Sequence, residues 1–341
     1  MGFDEFELIQ RFFRPLARRS RHVALGMGDD AAVLNPCPGE QWVVATDTLV
    51  EGVHFRAATA AQDIGFKALM VNLSDLAAMG AEPVAFTLNV TLPEADPQWL
   101  QQFAEGLAQA AGETVITLIG GDTTRGARVL TITVFGIVAE GRYRQRGGSR
   151  PGDIIAVTGV LGDAALGLAV EGQPELAPNA EVAANLLRAL HRPRARLPEG
   201  RILGEICSAM IDVSDGLVAD LGHLVDAGKV GARLDVGHLP LSADYRQTIA
   251  LWSAETIRDF WPQSANCPSL HAHWPALCGG DDYELCFTIA AEALPVAARR
   301  LRSVGCPVTA IGQITAVPGV CVVGEGGQMF VLEDGGYRHF S

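Results

Sequence analysis

The spacing of apolar residues predicts alternating helices and strands over the N-terminal part of the chain. Residues 3–19 place an apolar side chain at every third or fourth position, which predicts an amphipathic helix. Residues 62–79 are rich in Ala and Leu and predict a second helix, for which Gly80 is a suitable end. The remaining elements predicted here are a helix at 97–111 and strands at 42–46, 84–92, 114–119 and 129–138. Together they indicate a mixed α/β domain.

A turn-rich segment from Arg146 to Gly152 interrupts this pattern. We place a domain boundary there, between an N-terminal domain over residues 1–145 and a C-terminal domain over residues 151–341, because 341 residues suffice for two cores. The elements predicted in the second domain are strands at 153–157, 209–213, 283–289 and 307–314, a helix from Asp163, and helices at 180–190 and 216–226. Residues 252–276 have no clear period and are interpreted as an insertion or an irregular pair of helices. The predicted fold class is α+β, that is, mixed α/β with two domains.

The charge of the chain restricts its partners. With 26 basic and 39 acidic residues the formal net charge is −13, which argues against nonspecific binding to nucleic acid or to an anionic membrane. The chain has two lysines, Lys67 and Lys229, and neither lies in the G-x-x-x-x-G-K-[ST] pattern of a P-loop. Phosphate groups must therefore be bound by arginine, by backbone N–H groups or by metal ions held on carboxylates.

Other features of the sequence predict a cytoplasmic protein. No apolar run approaches the roughly 20 residues that a membrane-spanning helix needs, and the N-terminus lacks the basic and apolar regions of a secretory signal. The seven cysteines are odd in number, widely spaced and free of any C-x-x-C pair. This pattern predicts reduced thiols, not a disulfide framework or a zinc site.

Aspartates beside apolar segments are the most informative residues. Asp47 and Asp122 each follow an apolar run that we predict to be a strand, and Asp75 lies within an otherwise apolar helix. Asp212 and Asp215 follow a third apolar run, and Asp29 and Asp30 lie in a Gly-flanked loop. Converging carboxylates repel one another by about 4 kcal/mol per pair at 4 Å with an effective dielectric constant of 20, so protons or divalent cations must offset the repulsion. Oxygen ligands favour Mg²⁺, which also binds phosphate. Taken singly, Asp29 and Asp30 are equally compatible with a turn or a helix cap, and Asp47 and Asp122 are compatible with turns. Asp75 is not explained in this way, because an ionisable group on an apolar helical face costs energy unless it is paired.

Six segments of the chain resemble the thiamine-monophosphate kinase family, which belongs to the superfamily of aminoimidazole-ribonucleotide synthetase-like ATP enzymes. The matching segments are Gly26–Ala32, Thr46–Phe55, Lys67–Ala81, Gly120–Gly126, Asp212–Leu217 and Gly279–Leu285. The resemblance implies a two-domain PurM-like architecture, in which the N-terminal domain binds ATP and Mg²⁺ and forms a homodimer and the C-terminal domain completes the active site. It also implies that the γ-phosphoryl group of ATP is transferred to thiamine phosphate, giving thiamine diphosphate and ADP.

The same resemblance assigns residues to the site. Several Mg²⁺ ions would be bound by Asp30, Thr46, Asp47, Asp75, Asp122, Asp212 and Asp215. The nucleotide would be bound by Gly121, Asp122, Arg146 and Ser214, and thiamine phosphate by His54, Asp281 and Tyr337. The catalytic groups implied are Asp47, Asp122 and Arg146. Two residues depart from the usual family pattern, since Ala45 stands where Ser is usual and Asp281 where Glu is usual.

The expected reaction is direct in-line transfer. The acceptor is a phosphate whose second pKa is near 6, so it is ionised at neutral pH and needs no general base. Two alternatives stay open from the sequence alone. One is another ATP-dependent enzyme of the superfamily, such as a selenophosphate synthetase, a hydrogenase-maturation dehydratase or the purine-pathway synthetase. The other is a non-catalytic sensor of Mg²⁺ and nucleotide.

Overall fold

The protein is described by a computed structural model covering residues 5–28, 31–35, 37–332 and 335–337. The chain divides into two compact units, which are described separately. Unit 1 comprises Met1–Leu76 and Gly80–Tyr143, and unit 2 comprises Ala77–Met79 and Arg144–Ser341. The end of one helix therefore belongs to unit 2. No helix among the described residues combines the length and apolarity needed to cross a membrane.

Unit 1 contains a four-stranded sheet with two long helices. Its elements are α1 (Glu5–Leu8), a π-helical turn (Ile9–Phe13), a 3₁₀ turn (Arg14–Leu16), β1 (Val23–Leu25), β2 (Val33–Leu34), β3 (Glu40–Val50), α2 (Ala61–Ala78), β4 (Glu82–Leu92), α3 (Pro97–Thr114), β5 (Thr117–Arg125) and β6 (Val129–Ala139). The strand order in the sheet is β3-β6-β4-β5, and only the β4–β5 pair is parallel. The two edge strands of the sheet are therefore β3 and β5.

The two faces of this sheet have different environments. On one face, buried Leu88 and Ile132 belong to the core, and Leu76 of α2 reaches the backbone of Gly136 in β6. The other face is covered at one end, where Ile119 and Ile137 are buried together with apolar residues of β1 and β2. The rest of that face is polar, because Thr and Asn recur at alternate positions of β3, β4 and β6.

Unit 2 is a seven-stranded sheet with helices. Its elements are β7 (Ile154–Thr158), α4 (Asp163–Gly172), α5 (Ala180–His191), α6 (Leu197–Leu203), β8 (Ala209–Asp212), α7 (Leu217–Gly228), β9 (Gly231–Asp235), α8 (Ala243–Ile249), α9 (Ala254–Phe260), α10 (Trp274–Cys278), β10 (Leu285–Ile289), α11 (Leu294–Ser303), β11 (Val308–Thr315), β12 (Gly319–Val323) and β13 (Met329–Val331). The strand order is β13-β12-β9-β11-β7-β10-β8. A single apolar core joins strands β7, β8 and β9 to helices α4, α5, α7 and α10.

Three predictions about local structure were wrong. The first helix is broken into short helical turns, because Pro15 lacks the N–H that a continuous α-helix needs. Strand β3 continues to Val50 and β5 to Arg125, so Asp47 and Asp122 lie within strands and not after them. Both strands continue because their ladders extend past the apolar run, with Asp47 opposite Ile132 and Asp122 opposite Asn89. The prediction missed this extension because the added residues include Thr, Asp and Gly, which interrupt the apolar pattern.

Candidate active site

Thr46 lies on the polar, uncovered face of the unit 1 sheet. Its hydroxyl shares a hydrogen bond of 2.5 Å with Thr133, and the neighbouring pair Thr48 and Thr131 shares one of 2.8 Å. Each pair joins β3 to β6 across the ladder. The threonine side chains therefore have defined orientations, and their hydroxyl oxygens are neutral ligands suited to a hard cation.

Asp47 lies one residue further along β3, and its backbone is bound by α2. The Asp47 N–H donates to Asn72 Oδ1 at 2.9 Å, and Asn72 Nδ2 donates to the Ala68 carbonyl at 2.9 Å. Asn72 is fully buried, so both bonds are shielded from water. Asp75 lies three residues after Asn72 and therefore on the same side of α2. It is only partly buried in a helix whose other residues from Ile64 to Ala78 are buried.

Asp122 and Gly121 are on the opposite edge of the sheet. Asp47 of β3 pairs with Ile132 of β6, Ile132 pairs with Leu88 of β4, and Leu88 pairs with Gly121 of β5. The predicted residues of β3 and β5 therefore lie at the same position along the strand direction. Three strand spacings separate them, which is about 14 Å measured along the sheet. Within unit 1 the structure therefore places Thr46 and Asp47 beside each other but does not place Asp122 beside them.

The geometry of Gly121 and Asp122 has local causes. Gly121 has φ +148°, and a Cβ there would lie 1.8 Å from the Leu88 carbonyl oxygen, so only glycine fits. Asp122 is exposed, and Thr124 donates a hydrogen bond of 2.9 Å to its Oδ2. The glycine brings the backbone of β5 against β4, which explains Gly121 but not Gly120 or the exposed Asp122.

His54 follows β3 in a turn. Its Nδ1 accepts a hydrogen bond of 3.0 Å from the Val50 N–H. A neutral His54 therefore carries its proton on Nε2, which is then a donor. An imidazole N–H in this position is suited to a phosphate oxygen.

In unit 2 two loops meet at the end of β8. The Asp281 N–H donates to the Ser214 carbonyl at 2.7 Å, and the Tyr283 N–H donates to the Val213 carbonyl at 2.8 Å. Gly280 has φ +73°, and a Cβ there would lie 2.6 Å from the Ser214 oxygen. Only a glycine permits this approach, so Ser214–Gly216 and Gly279–Glu284 are held backbone to backbone.

The C-terminal segment joins the same loops. The Tyr337 N–H donates to the Asp215 carbonyl at 3.0 Å, and the Tyr337 side chain is 49% exposed. Asp212 is the last residue of β8 and lies two residues before Ser214. The structure thus groups five residues that the resemblance had assigned to metal, nucleotide and substrate: Asp212, Ser214, Asp215, Asp281 and Tyr337.

Asp220 belongs to this group, and the sequence analysis missed it. Its Oδ2 accepts hydrogen bonds of 3.0–3.1 Å from the N–H groups of Ser214, Asp215 and Gly216. The pKa of Asp220 is raised to about 7, chiefly by burial and also by the nearby carboxylates of Asp212 and Asp215, while the hydrogen bonds from the backbone N–H groups oppose the rise. A sequence signal existed, because Asp220 occupies the apolar stripe of α7 that also contains Leu217, Leu221 and Leu224.

Arg146 is placed apart from this group within unit 2. It lies exposed in a 3₁₀ turn, Arg146–Gly148. A Cβ on Gly148 would meet the Ser208 carbonyl, and one on Gly147 would meet Ala227. Ser208 precedes β8 and Ala227 ends α7, whereas Ser214 follows β8 and precedes α7. Arg146 and Ser214 are therefore at opposite ends of these two elements.

Asp30 lies outside the described residues.

His22, Cys37 and Glu40 form a second set of possible metal ligands, with ligand atoms within 4.8 Å of one another. Arg21 Nε donates to His22 Nε2 at 2.9 Å, so the proton of a neutral His22 is on Nδ1. That Nδ1 lies 3.6 Å from Cys37 Sγ and 3.7 Å from Glu40 Oε2. A protonated nitrogen cannot ligate a metal, so this arrangement favours hydrogen bonding.

Comparison with known proteins places the chain in a family. Residues 28–138 match the family model described as "AIR synthase related protein, N-terminal domain", and residues 150–324 match its C-terminal counterpart. The thiamine-monophosphate kinase of Escherichia coli K12 is 41% identical over 345 residues, covering 100% of this chain and 99% of that protein. The chain belongs to the thiamine-monophosphate kinase family. The Bacillus subtilis enzyme is 33% identical, covering 99% of each chain.

Solved structures agree with this assignment. The chain is similar to the crystal structure of thiamine-monophosphate kinase from Stenotrophomonas maltophilia K279a, with a TM-score of 0.82, 43% identity and coverage of 95% of this chain and 98% of that one. A structure described as AaThiL complexed with AMPPCP and TMP has a TM-score of 0.73 and 28% identity, covering 98% and 97%. The two-domain PurM-like fold predicted from the sequence is confirmed.

Proposed function

We propose that this protein is a thiamine-phosphate kinase that transfers the γ-phosphoryl group of ATP to thiamine phosphate, giving thiamine diphosphate and ADP. The observation that carries the proposal is similarity to thiamine-monophosphate kinases over the full chain. One of these relatives is described in complex with an ATP analogue and TMP. The grouping of Ser214, Asp215, Asp281 and Tyr337 in unit 2 supports it, because these are residues assigned to nucleotide, metal and substrate.

Mg²⁺ fits the residues proposed to hold it. The donor set of Thr46, Asp47, Asp75, Asp122, Asp212 and Asp215 consists of hard oxygens, which Mg²⁺ prefers. In unit 2, Asp212 and Asp215 lie close enough to help raise the pKa of Asp220, so bound cations would relieve repulsion there. When bound, Mg²⁺ supplies positive charge to the phosphate oxygens of both substrates.

The protein's own residues would bind and orient the two substrates. Ser214 and Gly121 would bind the nucleotide, whereas Arg146 lies at the opposite end of β8 and α7 from Ser214 and is not assigned to the same nucleotide. His54, with its proton on Nε2, would donate to the phosphate of the acceptor. The half-exposed ring of Tyr337 suits the cationic thiazolium and the aromatic pyrimidine of thiamine. In-line attack by an ionised phosphate then requires alignment and charge neutralisation, and no general base.

We also propose a cytoplasmic homodimer that pairs through unit 1. The uncovered face of the β3-β6-β4-β5 sheet carries the exposed Val44 beside the threonine pairs, and the family resemblance implies that the sheet of this domain forms the dimer. Asp122 is on one edge of this sheet and Asp47 on the other. A second copy would provide neighbours for both edges. Sedimentation at micromolar concentration should give twice the mass of one chain.

The decisive experiment uses purified protein with Mg²⁺-ATP and thiamine phosphate, and follows thiamine diphosphate and ADP. Free thiamine should be run as a parallel acceptor, and we expect turnover with the monophosphate only. A chain that binds Mg²⁺-ATP but forms no thiamine diphosphate would be a nucleotide sensor. Release of ADP without this product would indicate another reaction of the superfamily.

A further inference from the structure

The loop that carries Asp281 has an unusual backbone. Asp281 has φ +62° and Tyr283 has φ +50°, and both follow Gly280 at φ +73°. Aspartate tolerates this left-handed conformation, but a bulky side chain such as that of Tyr283 adopts it rarely. Such a backbone persists only where surrounding contacts hold it in place. The contacts that hold this loop are therefore informative.

Asp282 holds the middle of the loop from inside the protein. Its Oδ1 accepts a hydrogen bond of 2.8 Å from the N–H of Gly162, the residue that precedes α4. Its Oδ2 is covered from solvent and has no hydrogen-bond partner among the described residues. Gly162 itself is closely packed, because a Cβ there would lie 2.6 Å from the Tyr245 ring. Asp282 thus ties the loop to a rigid helix start.

The neighbours of Asp282 hold the loop at two more points. Tyr283 donates a side-chain hydrogen bond of 3.0 Å to Asp281 Oδ1, which orients that carboxylate. Glu284 accepts a two-pronged ion pair from Arg196 and a hydrogen bond of 2.6 Å from Thr158. The side chains of Asp282 and Glu284 are thus bound to other elements of unit 2 on either side of Tyr283, while the Asp281 N–H donates to the Ser214 carbonyl.

We propose that Asp282 is a positioning residue for substrate recognition, and that its bond to Gly162 holds Asp281 in the conformation that binds thiamine phosphate. This inference rests on the proposed function for the identity of the substrate. Asp282 acts here as a hydrogen-bond acceptor, so an amide of the same shape should replace it. Burial also raises the pKa of Asp282 well above its usual range, which agrees with a neutral replacement being tolerated.

The test compares Asp282→Ala with Asp282→Asn. The alanine variant loses the acceptor for Gly162, and we expect its KM for thiamine phosphate to rise about tenfold or more, while its KM for ATP stays within about twofold. The asparagine variant keeps an acceptor oxygen and should stay within about threefold of wild type. Asp163→Asn is the matched control, because Asp163 starts the same helix but binds Ser242. Its two KM values should not change.

A second readout does not depend on activity. Hydrogen exchange of the peptide spanning 279–285 should be about tenfold faster in Asp282→Ala and unchanged in Asp282→Asn. If the alanine variant does not fold, Tyr283→Phe replaces it, because this change removes the hydroxyl that orients Asp281 and should raise the same KM by about threefold or more. An inactive wild-type enzyme would refute the proposed function alone. A folded alanine variant with unchanged exchange would overturn the positioning role, as would an equal rise of both KM values.

Discussion

The two units position their predicted site residues in different ways. In unit 1, Thr46, Asp47 and Asp122 lie within regular strands, and the ladders of the sheet fix their backbones. In unit 2, Ser214 and Asp281 lie in loops held by glycines and by buried carboxylates. A ladder has many redundant hydrogen bonds, whereas each loop depends on a few side chains. Loss of a supporting side chain should therefore harm activity more in unit 2 than in unit 1.

The largest effect is expected when a predicted ligand itself is changed. Asp47→Asn or Asp122→Asn should lower turnover by at least about 10³-fold, because each removes charge that holds Mg²⁺ at the phosphates. Circular dichroism and the melting temperature should stay near wild type. Asp96→Asn is the control, since Asp96 caps α3 and asparagine caps equally well. Turnover by either ligand variant at the level of this control would refute the assignment.

The next effect concerns Asp220. Asp220→Ala leaves three backbone N–H groups without their acceptor, so we expect kcat/KM for ATP to fall by about 100-fold. Asp220→Asn keeps an acceptor oxygen and should lose about tenfold or less. Steady-state kinetics at saturating thiamine phosphate measure this difference. A folded alanine variant with kcat/KM within threefold of wild type would contradict the role given to Asp220.

A smaller effect on activity is expected from the corresponding change in unit 1. Asn72→Ala removes the acceptor for the Asp47 N–H, and urea unfolding should show a loss of about 1–3 kcal/mol in the free energy of unfolding. The kcat should nevertheless stay within about fivefold, because β3 still pairs with β6 on both sides of Asp47. A fall of about 100-fold in the kcat of Asn72→Ala, as large as the fall in kcat/KM expected for Asp220→Ala, would show that the sheet is not the rigid support that we infer.

The smallest effect on turnover is expected at Asp163, where the consequence is pH-dependent stability. Burial raises the pKa of Asp163 to about 6 from 3.8. The folded state then binds more protons than the unfolded state, so its stability falls as pH rises from about 4 to 6, by up to about 1.4 kcal/mol per pH unit. Asp163→Asn should flatten this slope. Urea unfolding at pH 4.5 and 6.5 in EDTA measures the change of stability with pH. An equal change in wild type and in Asp163→Asn would contradict the assignment of this pH dependence to Asp163.

The sequence predicted regular elements better than site geometry. Helix α3 and strand β6 follow from apolar periodicity, because burial of one face determines them, and α2 follows from its Ala and Leu content, because nearly all of its residues are buried. The extension of β3 through Asp47 was not predictable, since threonine and aspartate there continue the ladder with β6 without the apolar alternation that marks a strand in the sequence. The hydrogen bond from the Gly162 N–H to Asp282 joins residues 120 positions apart in sequence. No local pattern encodes this bond or the left-handed backbone of Tyr283. Asp220 had a local signal in the stripe of α7 and could have been found.

The uncovered threonine face of unit 1 has a thermodynamic consequence. Thr46 lies on this face and is also a proposed ion ligand. If a second copy binds there and completes the ion site, association of subunits and uptake of the cation become linked, and each favours the other by the same factor. The Mg²⁺ concentration for half-maximal rate should then decrease as the enzyme is made more concentrated.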